Sequence, residues 1–90
     1  MDQVTDTEVA DALTRLAWER DGDALRKVVT RKDFAEAMVF VNAVAAVAEA
    51  ANHHPDIAIS WDTVTLRLLT HDAGGITQLD LDLAARIDQL

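Results

Sequence analysis

Cysteine is absent from the 90 residues, which excludes a disulfide framework, a thiolate nucleophile and any sulfur ligand for zinc. A reducing cytoplasm is the expected setting. Basic residues are scarce: eight Lys and Arg face sixteen Asp and Glu, a net charge of -8 that would repel a phosphate backbone and argues against nucleic acid as ligand. The only basic cluster, Arg26, Lys27, Arg31 and Lys32, reads as a solvated strand-turn-helix edge rather than an anion site. With one proline and three glycines, the chain has no linker, repeat or low-complexity tract at which to divide it, and residues 1–90 read as a single domain. Long apolar runs are also missing, so no bilayer span is expected, and the acidic N-terminus does not resemble a signal peptide.

A chain this short buries only about 60–65% of its unfolded surface, so a lone monomer would be marginally stable. Half of the residues are apolar, yet mean hydropathy is only +0.03. Partner subunits could supply the missing burial.

What is present is a change of period along the chain. Val9, Ala10, Leu13, Leu16 and Ala17 recur at helical spacing behind Thr7 as candidate N-cap. Trp18 to Arg20 and Leu25 to Thr30 flank Asp21-Gly22-Asp23 as a hairpin. Asp33 caps a second helix running to about Asn52, with Phe34, Ala37, Met38, Val41, Ala45 and Ala48 as its core stripe. A second stripe, Phe40, Val44, Val47 and Ala51, makes it apolar on two sides. One side should therefore meet another subunit through residues 33–52, the alternative being alanines that only raise helix propensity while exposed.

Beyond Pro55, Ile57 to Trp61 reads as strand and Asp62-Thr63 as turn. Val64 to Leu69 forms the next strand, with His71 at its end. Gly74-Gly75 marks a turn, and Thr77 with Asp80 resembles a capping box opening a last helix lined by Leu79, Leu83, Ile87 and Leu90. The order predicts an α+β fold, α-β-β-α-β-β-α, with a four-stranded antiparallel sheet covered by three helices on one face.

All three histidines lie at the ends of these elements: His53 and His54 before Pro55, and His71 after the fourth strand. Imidazole is the side chain best suited to giving and taking protons near neutral pH. Glu49 stands four residues before His53, where a continuing helix would let its carboxylate orient that ring. His54 must then face elsewhere and could hold a ligand. A histidine near a helix end often serves only as a C-terminal cap, and three histidines with a carboxylate are also conceivable metal ligands. Neighbouring residues seldom converge on one ion, however, and no His-x-x-x-His spacing occurs, so no metal is expected.

The run Glu49-Ala50-Ala51-Asn52-His53-His54-Pro55, followed by Trp61, His71 and Asp80, resembles the pterin-4a-carbinolamine dehydratases. The segments FAEAMVFVN (34–42) and THDAGGIT (70–77) look like the same family, as does Trp18, so that the likeness spans about Leu13 to Ile87. The resemblance implies a lyase that eliminates water from 4a-hydroxytetrahydropterin without a cofactor. The product is the quinonoid dihydropterin that a reductase recycles after an aromatic amino acid hydroxylase has acted. It also implies a homodimer or homotetramer through residues 33–52, His53 and His71 as acid/base groups, His54 as a pterin contact, Glu49 and Asp80 as supporting carboxylates, and Trp61 or Trp18 either beside the flat ring or in the core. Two positions depart from animal members: Ile57 replaces a tryptophan and Trp61 a tyrosine, which removes a stacking surface and a hydroxyl. The alternative is a non-catalytic interaction or regulatory module that kept the scaffold.

Overall fold

The computed structural model describes residues 1–90. Its first helix, α1 (Asp6–Ala12), is capped by Thr5 and not by Thr7. The Thr5 hydroxyl accepts from the Glu8 N–H while the Glu8 carboxylate accepts from the Thr5 N–H. Thr5-x-x-Glu8 satisfies two orphan amides at once, which Thr7 cannot do. Leu16 and Ala17 consequently lie in the turns after α1 rather than on its face.

Two hairpins follow, each displaced by one residue from the sequence expectation. β1 (Glu19–Asp21) pairs antiparallel with β2 (Ala24–Thr30). Gly22 supplies the positive φ of 59° that the two-residue turn requires. β3 (Asp56–Ser60) pairs antiparallel with β4 (Thr63–Leu68), Ser60 opposite Thr63. The turn is therefore Trp61-Asp62, and Trp61 adopts φ 53° instead of continuing the strand. The four strands form one antiparallel sheet in the order β1-β2-β4-β3.

Between the hairpins runs α2 (Phe34–Ala51), its N-terminus closed by the Asp33 carboxylate accepting from the Glu36 N–H. α2 buries Ala37, Phe40, Val44 and Ala48. This corrects the expected core stripe: Phe34 and Ala45 are exposed, and Phe40 and Val44 of the second stripe face inward. Alanines on every side blur the hydrophobic arc, so periodicity alone leaves its azimuth undecided. The helix has a mean hydropathy of 1.6 over 18 residues, enough in composition for a membrane span. Its buried residues Ala37, Phe40, Val44 and Ala48 belong to one apolar cluster with Leu25, Val29, Val64, Leu66 and Leu68 of the sheet.

The last helix, α3 (Gln78–Ile87), opens with the expected Thr77–Asp80 capping box and buries Leu81, Leu83, Ala84 and Ile87. It ends short of Leu90, at Asp88, whose carboxylate fastens it to the first hairpin. Asp88 accepts from the Trp18 indole N–H at 2.9 Å, the Lys27 ammonium at 2.9 Å and the Ala17 N–H at 2.8 Å. Lys27 and Asp88 side chains are each only 16% exposed, so removing one partner leaves a poorly hydrated charge. Asp88→Ala is expected to lower the unfolding free energy by about 2–3 kcal/mol. Urea denaturation checks this; a loss below about 0.5 kcal/mol would show that the latch contributes nothing.

The basic cluster is dispersed by the same contacts. Lys27 serves Asp88, Arg26 pairs with Glu19 at 2.8 Å, and the Arg31 guanidinium lies 4.8 Å from the Phe40 ring centre.

Candidate functional site

The site begins where α2 stops. Asn52 adopts the left-handed conformation, φ 50° and ψ 41°, which asparagine tolerates better than most residues. The Asn52 N–H then bonds back to the Glu49 carbonyl and the His53 N–H to the Ala48 carbonyl. Paired bonds of this kind close a Schellman motif. Pro55 follows, and the chain turns into β3 instead of extending the helix.

This reversal changes the partners expected from spacing. His53 does not pair with Glu49: its Nε2 lies 2.6 Å from Asp80 Oδ1, on α3. Glu49 is instead engaged by His54, whose Nε2 is 2.5 Å from Glu49 Oε2. An i,i+4 contact needs helical geometry at both residues, and the left-handed turn at Asn52 removes it from His53. The two adjacent imidazoles thus face different carboxylates, one interior and one solvated. The His53 side chain is 12% exposed and that of Asp80 is 0%, whereas His54 and Glu49 are 56% and 77% exposed.

Asp80 has two tasks that reinforce each other. As the third residue of α3 it completes the cap, its Oδ2 accepting from the Thr77 N–H at 2.8 Å. The same oxygen lies 2.8 Å from the Thr70 hydroxyl, leaving Oδ1 for His53. A carboxylate in the first turn is also favoured by the helix dipole. No buried side-chain nitrogen or oxygen in the chain lacks a partner.

His71 opens a short 3-10 turn, His71–Ala73, set on a loop that is closed by the Thr70 N–H donating to the Gly75 carbonyl at 2.9 Å. Its side chain is exposed and makes no hydrogen bond, so its position depends on the loop. A strap from the N-terminus holds that loop. Gln3 Nε2 donates to the Ala73 carbonyl at 2.8 Å and the Val4 N–H to the Ile76 carbonyl at 2.9 Å. A Cβ on Gly75 would approach Gln3 Cδ and Oε1 to 2.8 Å. Gly75→Ala is therefore expected to expel the Gln3 side chain at a cost of about 1 kcal/mol. The double variant with Gln3→Ala should be no less stable than Gln3→Ala alone, and additive losses in urea denaturation would refute the clash.

His53, His54 and His71 line one open depression of about 350 Å³, with Asn52, Leu69 and Leu79. Trp61 is not part of it: it sits in the β3–β4 turn, at the opposite end of β3 from His54, and is 68% exposed. Trp18 is core, held by Asp88. A larger depression of about 460 Å³ beside Trp18, Arg26 and Lys27 contains no histidine, and its charges are already paired. No three His, Asp or Glu side chains converge as metal ligands. Asn52, Thr70 and Gln3 were not singled out by sequence reasoning. Asn before His-His-Pro is a recognisable left-handed helix stop, while Gln3 carries no local signal.

Comparison with known proteins finds similarity along nearly the whole chain. The family described as pterin 4 alpha carbinolamine dehydratase matches residues 2–90. A relative from Roseiflexus sp. (strain RS-1) is 49% identical over 98% of this chain and 96% of its own. One from Thermomicrobium roseum is 48% identical over 100% and 98%. Both are provisionally named pterin-4-alpha-carbinolamine dehydratases. Among solved structures, a transcriptional coactivator/pterin dehydratase from Brucella melitensis superposes with a TM-score of 0.92 at 30% identity, covering 98% of this chain and 97% of its own. A pterin dehydratase-like protein identified as a RuBisCO assembly factor in the alpha-carboxysome gives 0.69 at 25% identity, covering 81% and 87%.

Proposed function

This chain belongs to the pterin 4 alpha carbinolamine dehydratase family, and from that premise we propose that it eliminates water from a 4a-hydroxytetrahydropterin to give the quinonoid dihydropterin. The observation that carries the reading is the convergence of His53, backed by the interior carboxylate of Asp80, with His54 and His71 around one depression. A volume of about 350 Å³ suits a flat bicyclic ring.

Elimination breaks the C4a–O bond and removes a proton from the adjacent ring nitrogen. One imidazole, protonated, gives its proton to the departing hydroxyl, which leaves as water. The other, neutral, takes the proton from nitrogen as the C=N bond forms, and exchange with solvent restores both. His53 and His71 are the proposed carriers, a role worth about 10²–10⁴ in rate for each positioned acid or base. His54, oriented by Glu49, contacts the pterin from the rim. Such a reaction requires no metal or cofactor and serves the recycling of tetrahydropterin, with the cytoplasm as its setting.

The test is the decay of the 4a-hydroxypterin absorbance with and without purified protein, across about pH 6 to 8.5, where imidazole titrates. Acceleration over buffer is expected; a rate equal to buffer throughout that range rules out an active dehydratase.

A second reading is a non-catalytic oligomeric module. It is favoured by the likeness to the pterin dehydratase-like RuBisCO assembly factor and by the apolar residues Phe34 and Val39 exposed on α2, 52% and 69%. Association of copies through α2 belongs to both readings. A stable complex with an unchanged dehydration rate would favour the module.

A further inference from the structure

We propose that Asp72 sets specificity for the pterin ring: its carboxylate accepts from the ring N3–H and from the 2-amino group, the two donors that lie side by side on the pyrimidine edge. The inference rests on the dehydratase reading for its substrate class. Its support is the state of each polar side chain around the histidine depression. Of the carboxylates at the site, Asp80 is taken up by His53, Thr70 and Thr77, and Glu49 by His54. Asp72, in the 3-10 turn that His71 opens, lines the same depression as the three histidines. It is exposed and makes no side-chain hydrogen bond or ion pair. An aspartate at the start of a turn commonly caps it, but no amide of this turn bonds to Asp72.

With C4a and its neighbouring nitrogen toward the proton carriers His53 and His71, the pyrimidine edge turns to the rest of the wall: Asn52, Leu69, Thr70, Asp72 and Leu79. The leucines offer no polar side-chain atom, and the Thr70 hydroxyl is engaged with Asp80 and Thr77. Asn52 and Asp72 remain, and their chemistry differs. A side-chain amide offers one acceptor oxygen and a donor NH₂, whereas an ionised carboxylate accepts at both oxygens. The pterin N3–H and 2-amino group both donate, so a carboxylate matches the pair and an amide turns its NH₂ against one of them. Bonds to an ionised, forked acceptor are also the stronger kind.

The match can be inverted by chemistry alone. Lumazine is pterin with an oxygen in place of the 2-amino group, so it presents an acceptor beside the same N3–H. Asp72 would set a carboxylate oxygen against that acceptor. Asparagine at this position would accept from N3–H with its oxygen and donate to the lumazine oxygen with its NH₂. Asp72→Asn should therefore reverse the preference between the two rings and not merely weaken binding, an outcome that a general loss of structure cannot produce. Discrimination of this kind comes from the repulsive pairing as much as from the attractive one.

Fluorescence titration with pterin and with lumazine, at a pH where both rings are neutral, reads this directly. The parent should bind pterin about tenfold more tightly than lumazine, the size expected for a hydrogen bond to a charged group in an open site. Asp72→Asn should favour lumazine, and Asp72→Ala should bind both weakly without preference. In the dehydration assay Asp72→Asn should raise KM about tenfold with kcat within about twofold, because the pyrimidine edge is held equally in substrate and transition state. The proposal is overturned if the parent shows no preference for pterin or if folded Asp72→Asn keeps the parental order. Should the asparagine variant not fold, Asp72→Ala decides, and retained preference there overturns the proposal. A pterin preference that Asp72→Asn reverses, in a protein that does not accelerate dehydration, refutes the dehydratase reading and leaves this one standing. Turnover without any preference does the opposite.

Discussion

Replacing His71 by alanine is expected to slow pterin dehydration by about 10²–10⁴-fold, the contribution of one positioned acid or base. Stability should stay within about 0.5 kcal/mol of the parent, as for a surface substitution without partners. The separation of the two effects follows from the structure: the His71 side chain is exposed and unbonded, and the loop beneath it is held by Thr70, Gly75 and Gln3. His53→Ala should lose activity to a similar degree but also stability, because Asp80 would keep an interior charge with one partner fewer. The measurements are the single-wavelength decay of the 4a-hydroxypterin and a urea titration of each variant. A His71→Ala protein that retains the parental rate would remove His71 from the mechanism. One that loses both rate and stability would show instead that His71 supports the loop.

Asp80→Ala should be the most destabilising single change at the site, at about 3–5 kcal/mol. Asp80 is fully buried, and its removal takes the acceptor from the Thr77 amide, the Thr70 hydroxyl and the His53 ring together. It also opens the capping box of α3. A domain of this size has about 5–15 kcal/mol in all, so the variant should unfold at markedly lower urea concentration. Asp80→Asn provides a folded comparison: its amide oxygen can still accept from Thr77 and Thr70, but its NH₂ then faces His53 in place of an acceptor. Activity should fall in both variants. By contrast Glu49→Gln alters only a solvated pair and should change stability little. If Asp80→Ala cost no more than Glu49→Gln in urea, the buried network would not be the support described above.

Much of this organisation is legible along the chain. Asp33, Thr77 with Asp80, and Gly22 act within a few residues of themselves, so the sequence states their effects directly. The missed cap at Thr5 was also local, written as Thr5-x-x-Glu8. Alternation in Val64, Leu66 and Leu68 identifies the inward face of β4. The rotation of α2 was not legible, since alanine at nearly every azimuth lets several stripes qualify. The register of the β3–β4 hairpin moved by one residue because Trp61 took the positive φ that a turn needs, a conformation no rule would assign to tryptophan.

By itself, then, the sequence determined the kinds and order of the elements, their caps, and a set of three histidines gathered at element ends. Those properties depend on periodicity and on contacts within a turn or two. Tertiary structure alone decided which carboxylate serves which histidine. The spacing of Glu49 and His53 predicts a bond only while the helix continues, and Asn52 ends it. His53 then finds Asp80, 27 positions away, because packing of α3 against α2 brings that carboxylate beside it. A partner so distant in sequence leaves no local signal, and its choice rests on burial: the interior Asp80 must be satisfied by protein, while Glu49 has water available.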